Sequence, residues 1–255
     1  MIPLALASRC DGPATAPVVV LGNSLGTTMT MWAPQLESLG AHLRLLRWDL
    51  PGHGASGEPH GPVTIDSIGD AVVALLDELG VARAGFCGVS VGGMVALSVA
   101  ARCPERIERL AVGCTSAYLG AAAWYERAAT VRAGGMASIA DRILERWFTP
   151  GFHDRRADIV TAMREAFVAT KVEGYARCCE AIAAMDLRPS LSNIRCPTLV
   201  IHGADDHAIL PENGAAIAAS IAGSHFVAVD RAAHLATIER ADVTTSLLLD
   251  HFVTS

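Results

Sequence analysis

Apolar residues fall along this chain in short, nearly unbroken runs separated by stretches of helical periodicity. Four runs lie in the first half, at 17–23 (PVVVLGN), 43–54 (LRLLRWDLPGHG), 84–90 (AGFCGVS) and 109–115 (RLAVGCT). Two more follow at 198–206 (TLVIHGADD) and 224–234 (SHFVAVDRAAH). Each has the length of a strand, and continuous apolarity suits strands covered on both faces. Between the second and third runs, residues 64–80 place Ile65, Ile68, Val72, Leu75, Leu76 and Leu79 on one side, with Thr64 as the expected N-cap. Strand and helix patterns that alternate in this way predict parallel strands joined by crossover helices.

The alternation stops at residue 118. From there to about 190 no strand pattern occurs, and segments such as AAWYERAATVRAG, SIADRILERWF and YARCCEAIAAMDL follow one another with helical spacing. This predicts one α/β unit built from 1–117 and 191–255, interrupted by a helical insertion, 118–190, placed as a lid. Trp124, Tyr125, Trp147 and Phe148 bring much of the aromatic content into the insertion. No repeat, low-complexity segment or linker is present.

Composition narrows the partners. Of 255 residues 51% are hydrophobic and 18% charged, enough to bury a sizeable core, and the formal net charge is −6. Lys171 is the sole lysine and arginines are scattered, so no basic patch invites nucleic acid or an anionic membrane. No apolar stretch approaches the ~20 residues of a membrane-spanning helix. The start, MIPLALASRCDG, lacks a basic secretory n-region. Seven cysteines with no C-x-x-C pair, several inside apolar runs, read as buried free thiols rather than disulfides or a metal site, which points to a reducing cytoplasm.

The chemistry gathers where runs end. FCGVSVGGM places Ser90 between Gly88 and Gly92 at a strand-to-helix junction, the setting in which G-x-S-x-G presents a nucleophile; the plainer reading is a tight turn whose serine caps the helix. A serine hydroxyl needs a base near neutral pH. Of nine histidines, His234 follows the last run and precedes the final helix, so its loop can return to the C-terminal edge of the sheet. His42, His60, His153, His225 and His251 read as surface residues, His53 as a structural turn residue, His202 lies within a strand run, and His207 follows the acidic pair Asp205–Asp206. Asp205 and Asp206 share the loop after the fifth run, and either can orient the base. The order Ser, Asp, His is that of one hydrolase class. Two backbone N–H donors are needed for an oxyanion: Val91, after the serine, and Leu25, in the polar turn after the first run.

With these segments in view, the chain resembles the α/β-hydrolase superfamily and, within it, the 3-oxoadipate enol-lactonase family. The match runs over nearly the full length through GNSLGTTMTMWAPQ, LRLLRWDLPGHGASG, FCGVSVGGMVA, ERWFTPGF, GYARCCEAIAAMDLR, PTLVIHGADDHAILPENG and AAHLATIE. The resemblance implies an α/β-hydrolase fold with a mostly parallel sheet and a helical lid. It implies Ser90 as nucleophile, His234 as base and Asp206 rather than Asp205 as the acid. It also implies no cofactor and no metal, and ring opening of a small carboxylate-bearing lactone in the β-ketoadipate pathway of aromatic catabolism. A cationic residue is then expected in the lid, with Arg127, Arg132 and Arg146 as candidates that read equally as solvated helix faces. Trp124 and Trp147 read as pocket lining or as core. Other small-ester or lactone hydrolases, thioesterases, cofactor-free perhydrolases and a non-catalytic ligand receptor share the same fold-level features. Oligomeric state is not readable.

Overall fold

The computed structural model describes residues 4–254. Seven strands form one sheet: β1 (Ser8–Asp11), β2 (Val18–Gly22), β3 (Arg44–Trp48), β4 (Ala84–Val89), β5 (Ile107–Gly113), β6 (Thr198–Gly203) and β7 (His225–Val229). Their spatial order is β1-β3-β2-β4-β5-β6-β7. All neighbours pair in parallel except β1, which runs antiparallel to β3. The six apolar runs each supply one strand, so the sheet is the mostly parallel one the pattern predicts. β1 has no counterpart among them. Its sequence, SRCD, is polar and largely exposed, as an edge strand allows. At the other edge β7 departs from the expectation of strands buried on both faces, because His225, Phe226 and Ala228 are exposed.

Helices α1 (Ala33–Gly40), α2 (Ile65–Glu78) and α3 (Val91–Arg102) connect the early strands. Thr64 caps α2 in a reciprocal box with Ser67, satisfying two N–H groups that the helix leaves open. α3 is buried from Val91 to Ala101, which explains an apolar composition with no polar face. Five helices lie between β5 and β6: α4 (Ala121–Gly134), α5 (Ala140–Trp147), α6 (Pro150–Arg155), α7 (Ala157–Val168) and α8 (Val172–Ala183). The remaining helices are α9 (Pro211–Ser220), α10 (Ala236–Glu239) and α11 (Ala241–Phe252). None of the described helices is long and apolar enough to cross a membrane.

Strand order places the site. The chain steps from β2 outward to β3, then back across β2 to β4. With right-handed crossovers, the loops after β2 and β4 therefore leave toward opposite faces, opening a crevice at the C-terminal ends of these two strands. α1 packs on α11, and α2 on α3, as this division requires.

Several side chains sit differently from the sequence reading. All seven cysteines are free, but Cys10 is exposed and Cys103 and Cys196 are half-buried. Cys10 lies on the polar edge strand and the other two near element ends, where an apolar neighbourhood in sequence does not become a core. His153 and His251 are half-buried rather than on the surface. His153 Nε2 lies 3.2 Å from Leu144 O, and His251 is packed edge-on to Phe252.

Candidate active site

At the end of β4 the chain turns through Ser90, with φ 56° and ψ −120°, into α3. Such a backbone costs a residue with a side chain about 1–3 kcal/mol and persists only where its surroundings enforce it. Ser90 N–H donates to Gly113 O at 2.8 Å, and Thr115 Oγ1 donates to Ser90 O at 2.7 Å. The flanking glycines are a steric requirement. A Cβ on Gly88 would stand 2.2 Å from Gly92 O, and one on Gly92 would stand 2.3 Å from the carbonyl carbon of Gly22. Ser90 occupies the N-cap position of α3, yet its side chain makes no capping bond. The plainer reading of this serine as a helix cap therefore fails, and the hydroxyl faces a cleft.

His234 lies in the loop after β7. Its Nδ1–H donates to Asp206 Oδ2 at 2.9 Å. Oδ1 of the same carboxylate accepts Ala208 N–H at 2.7 Å and Ile209 N–H at 3.0 Å. Asp206 is buried, whereas Asp205 is exposed, so the structure brings Asp206 and not its neighbour to the histidine. Burial pushes the Asp206 carboxyl up. The charge of His234, the hydrogen bonds from His202 and His234, and Ile209 N–H more than offset this and hold it well below its ordinary value of 3.8. A carboxylate kept ionised beside Nδ1 fixes the tautomer that leaves Nε2 free to take a proton. No hydrogen bond joins Ser90 to His234 in this structure, although both line the same cleft. In unliganded sites such contacts are commonly loose and tighten with substrate.

His202 is a member of this group that the sequence reading left inside a strand. Its Nε2 lies 2.8 Å from Ile209 O and 3.3 Å from Asp206 Oδ2. Both are acceptors, so Nε2 carries the proton and steadies the acid loop. Cys114 Sγ, His202 and Asp206 offer ligand atoms within 4.8 Å of one another, but these atoms are engaged in hydrogen bonds. Cys114 accepts Gly203 N–H at 3.5 Å, and burial pushes its thiol up, away from the thiolate a metal needs. Glu239 also escaped sequence reasoning. It accepts Ala233 N–H at 2.9 Å, next to His234, and the N–H and hydroxyl of Thr149 from the helical segment. With Leu235 N–H bonded to Trp147 O at 3.0 Å, the histidine loop is tied on both sides. The place of Glu239 in the sequence, five residues past His234, was the available signal.

The turn after β2 is equally well held. Ser24 O accepts Thr27 N–H at 3.1 Å and Thr27 Oγ1 at 2.8 Å. In a trans peptide the C=O and the following N–H point opposite ways, so Leu25 N–H is aimed away from Thr27. Val91 N–H, at the first position of α3, has no intrahelical acceptor. Among the described residues neither N–H meets a protein acceptor.

The cleft and the solvent space at its mouth together span about 430 Å³. Ser90, His234 and Leu25 line it from the sheet, and Trp124, Arg127, Arg146 and Trp147 from the helices between β5 and β6. Both tryptophans are thus cleft residues, and Trp147 is also core, packed edge-on to Phe167 at 5.6 Å. The three arginines separate. Arg132 bonds Glu173 at 2.9 Å and Glu180 at 2.5 Å, tying α4 to α8 outside the cleft. Arg127 lies 4.3 Å over the Trp124 ring, and Arg146 reaches the carbonyls of His207 and Ala208.

The family model described as the alpha/beta hydrolase fold matches residues 17–241. The chain is 39% identical to 3-oxoadipate enol-lactonase 2 of Acinetobacter baylyi, over 90% of this chain and 86% of that protein. Among solved structures it superposes on an enol-lactonase from Burkholderia xenovorans with a TM-score of 0.95 and 45% identity, covering 98% of this chain and 96% of that one. It also superposes on a thermophilic esterase from Thermogutta terrifontis with a TM-score of 0.90 and 28% identity, covering 96% and 92%. Sheet order, elbow and these likenesses agree: the chain belongs to the α/β-hydrolase family.

Proposed function

We propose that this chain opens the ring of 3-oxoadipate enol-lactone to give 3-oxoadipate, through Ser90, His234 and Asp206, with residues 118–190 serving as the lid of the site. The observation that carries the substrate class is a pair of guanidinium groups, Arg127 and Arg146, in the same cleft as Ser90. Among the described residues neither has a carboxylate partner. Burial, followed by the neighbouring charges of Arg127 and Arg142, pulls the Arg146 pKa below its usual value. Two cations held close together and partly desolvated leave an unmet demand for an anion. A small lactone bearing a free carboxylate meets it, while a neutral ester does not. The likeness to 3-oxoadipate enol-lactonase 2 of Acinetobacter baylyi and to the Burkholderia xenovorans enol-lactonase supports the same substrate.

In the reaction, Ser90 Oγ attacks the lactone carbonyl as His234 Nε2 takes its proton. Asp206 stabilises the imidazolium, and the N–H groups of Leu25 and Val91 receive the oxyanion. Collapse breaks the ring C–O bond; the departing oxygen is an enolate, a better leaving group than an alkoxide, and His234 returns a proton to it, giving an enol that tautomerises to the ketone. The leaving group stays tethered to the acyl chain. His234 then deprotonates water, which attacks the acyl carbon and frees Ser90. These steps draw on protein groups and water alone.

The test is a comparison of kcat/KM for the enol-lactone and for p-nitrophenyl acetate, in the wild type and in Ser90→Ala. Preference for the lactone, lost in Ser90→Ala, is expected. Fast ester cleavage without lactone turnover would replace this reading with a general small-ester hydrolase. Lactone binding without Ser90-dependent turnover would make the chain a receptor.

A further inference from the structure

His53 belongs to the turn after β3, has no exposed surface and takes no part in the triad. Its ring nitrogens are nonetheless both engaged. Nδ1 lies 2.9 Å from Pro51 O, an acceptor, so Nδ1 carries the proton. Nε2 is then a bare lone pair, and Gly26 N–H donates to it at 3.0 Å. Gly26 follows Leu25, whose own N–H is assigned above to the oxyanion. The two peptides flanking the Leu25 Cα are therefore each fixed by one partner: Thr27 holds the Ser24 carbonyl, and His53 holds the Gly26 N–H.

The surroundings leave this imidazole little freedom. Gly26 has φ +82°, and a Cβ there would stand 2.5 Å from the Phe167 ring. Gly52 O accepts Lys171 N–H at 3.1 Å, and the Tyr175 ring stacks on His53 at 6.2 Å. The turn, the Leu25 loop and α7–α8 thus close around one side chain. Burial pushes the His53 pKa down to about 4, so the lone pair that Gly26 requires persists at neutral pH.

We propose that His53 is a positioning residue of the oxyanion loop: as a neutral acceptor it fixes the Leu25–Gly26 peptide and so aims Leu25 N–H at the site where charge develops. The proposal rests on the oxyanion assignment made under the proposed function, and it is independent of which lactone or ester is the natural substrate. His53 touches neither substrate nor reacting atoms, so its effect belongs in kcat rather than KM.

The two half-mimics of histidine separate this role from simple support of the turn. The amide of Gln can place an acceptor where Nε2 stands, whereas that of Asn reaches the position of Nδ1 and leaves Gly26 N–H unmet. With p-nitrophenyl acetate as substrate, His53→Asn is expected to lose about 100-fold in kcat, the scale of an ångström of misplacement, with KM within threefold. His53→Gln should recover at least tenfold of that loss. The reverse order, or equal loss in both, would mean that the Pro51 contact matters and would overturn the proposal; so would kcat of His53→Asn within threefold of wild type. Should the variants not fold, nitrogen-15 spectra of the wild-type chain read the same point. An unprotonated Nε2 coupled to Gly26 N–H is expected, and a protonated Nε2 overturns the role. Failure of the enol-lactone assay alone leaves these readouts in place and counts against the substrate reading only.

Discussion

The sheet side and the helical side of the cleft solve different problems with different parts of the chain. On the sheet side the groups proposed for the chemistry are set by backbone: the strained Ser90, the N–H groups of Leu25 and Val91, and glycines where segments cross too closely for a Cβ. On the helical side they are long side chains, Arg127, Arg146, Trp124 and Trp147, projected from α4 and α5. Backbone geometry suits bond making, because donors must already stand where charge appears. Side chains on helices suit recognition, because one substitution changes what is bound and leaves the sheet intact. A site divided in this way keeps chemistry and substrate choice on separable parts of the chain.

The largest break falls on the sheet side. Ser90→Ala should lower kcat by roughly 10⁶-fold with the fold unchanged, followed through loss of lactone absorbance. Asp206→Asn comes next. It keeps the shape but lets Nδ1 lose its preferred proton, and a fall of about 10⁴-fold in kcat is expected with little change in KM. The helical side should respond in the opposite parameter. Arg127→Gln and Arg146→Gln each remove a charged hydrogen bond to substrate, worth about 1.5–3 kcal/mol. Their KM for the enol-lactone should therefore rise by roughly 10- to 100-fold, while p-nitrophenyl acetate hydrolysis stays within threefold. Were both substrates to suffer equally, the division between the two sides would be wrong.

The smallest effect sharpens the sheet side by titration. Burial holds His53 and His251 down to about 4, against an ordinary value of 6.5. Between these values the unfolded chain binds protons that the folded chain refuses, so stability is full above about 6.5 and falls as pH drops toward 4. Urea midpoints should be flat from pH 8 to 7 and lower at pH 5 by roughly 0.5–1 M. His53→Gln should flatten that slope. Asp206 acts in a lower window: its depressed value contributes stability above 3.8 that is lost as pH falls further.

How much of this was legible depended on whether a local pattern carried the information. Six strands were: five because a strand covered by helices must be apolar residue after residue, and β7 because its run is largely apolar although His225, Phe226 and Ala228 are exposed. Edge strand β1 was not, since SRCD needs no apolar face. Thr64 announced α2 because a cap is a local device. The pairing of Asp206 with His234 is the one the resemblance implies, where the residue pattern alone left Asp205 and Asp206 open, and the choice against Asp205 shows in burial. Arg127, Arg132 and Arg146 looked alike, for all three recur on helix faces. Glu173 and Glu180 on α8 claim Arg132 and leave the other two in the cleft. His53 and His202 read as turn and strand residues, and their partners, Gly26 and Asp206 with Ile209, come from other loops or a later turn.

The amino-acid pattern alone carried the alternating α/β order, the glycine-framed serine and the order Ser90, then Asp205 or Asp206, then His234 along the chain. These rest on periodicity and on steric limits acting within a few residues. Packing in three dimensions settled which arginines share the cleft with Ser90, which histidines are buried hydrogen-bonding supports, and how the His234 loop is tied to the helical segment through Glu239. Those outcomes depend on contacts between residues tens of positions apart, and the energy of a buried charge or hydrogen bond is set by what surrounds it rather than by what precedes it in the chain.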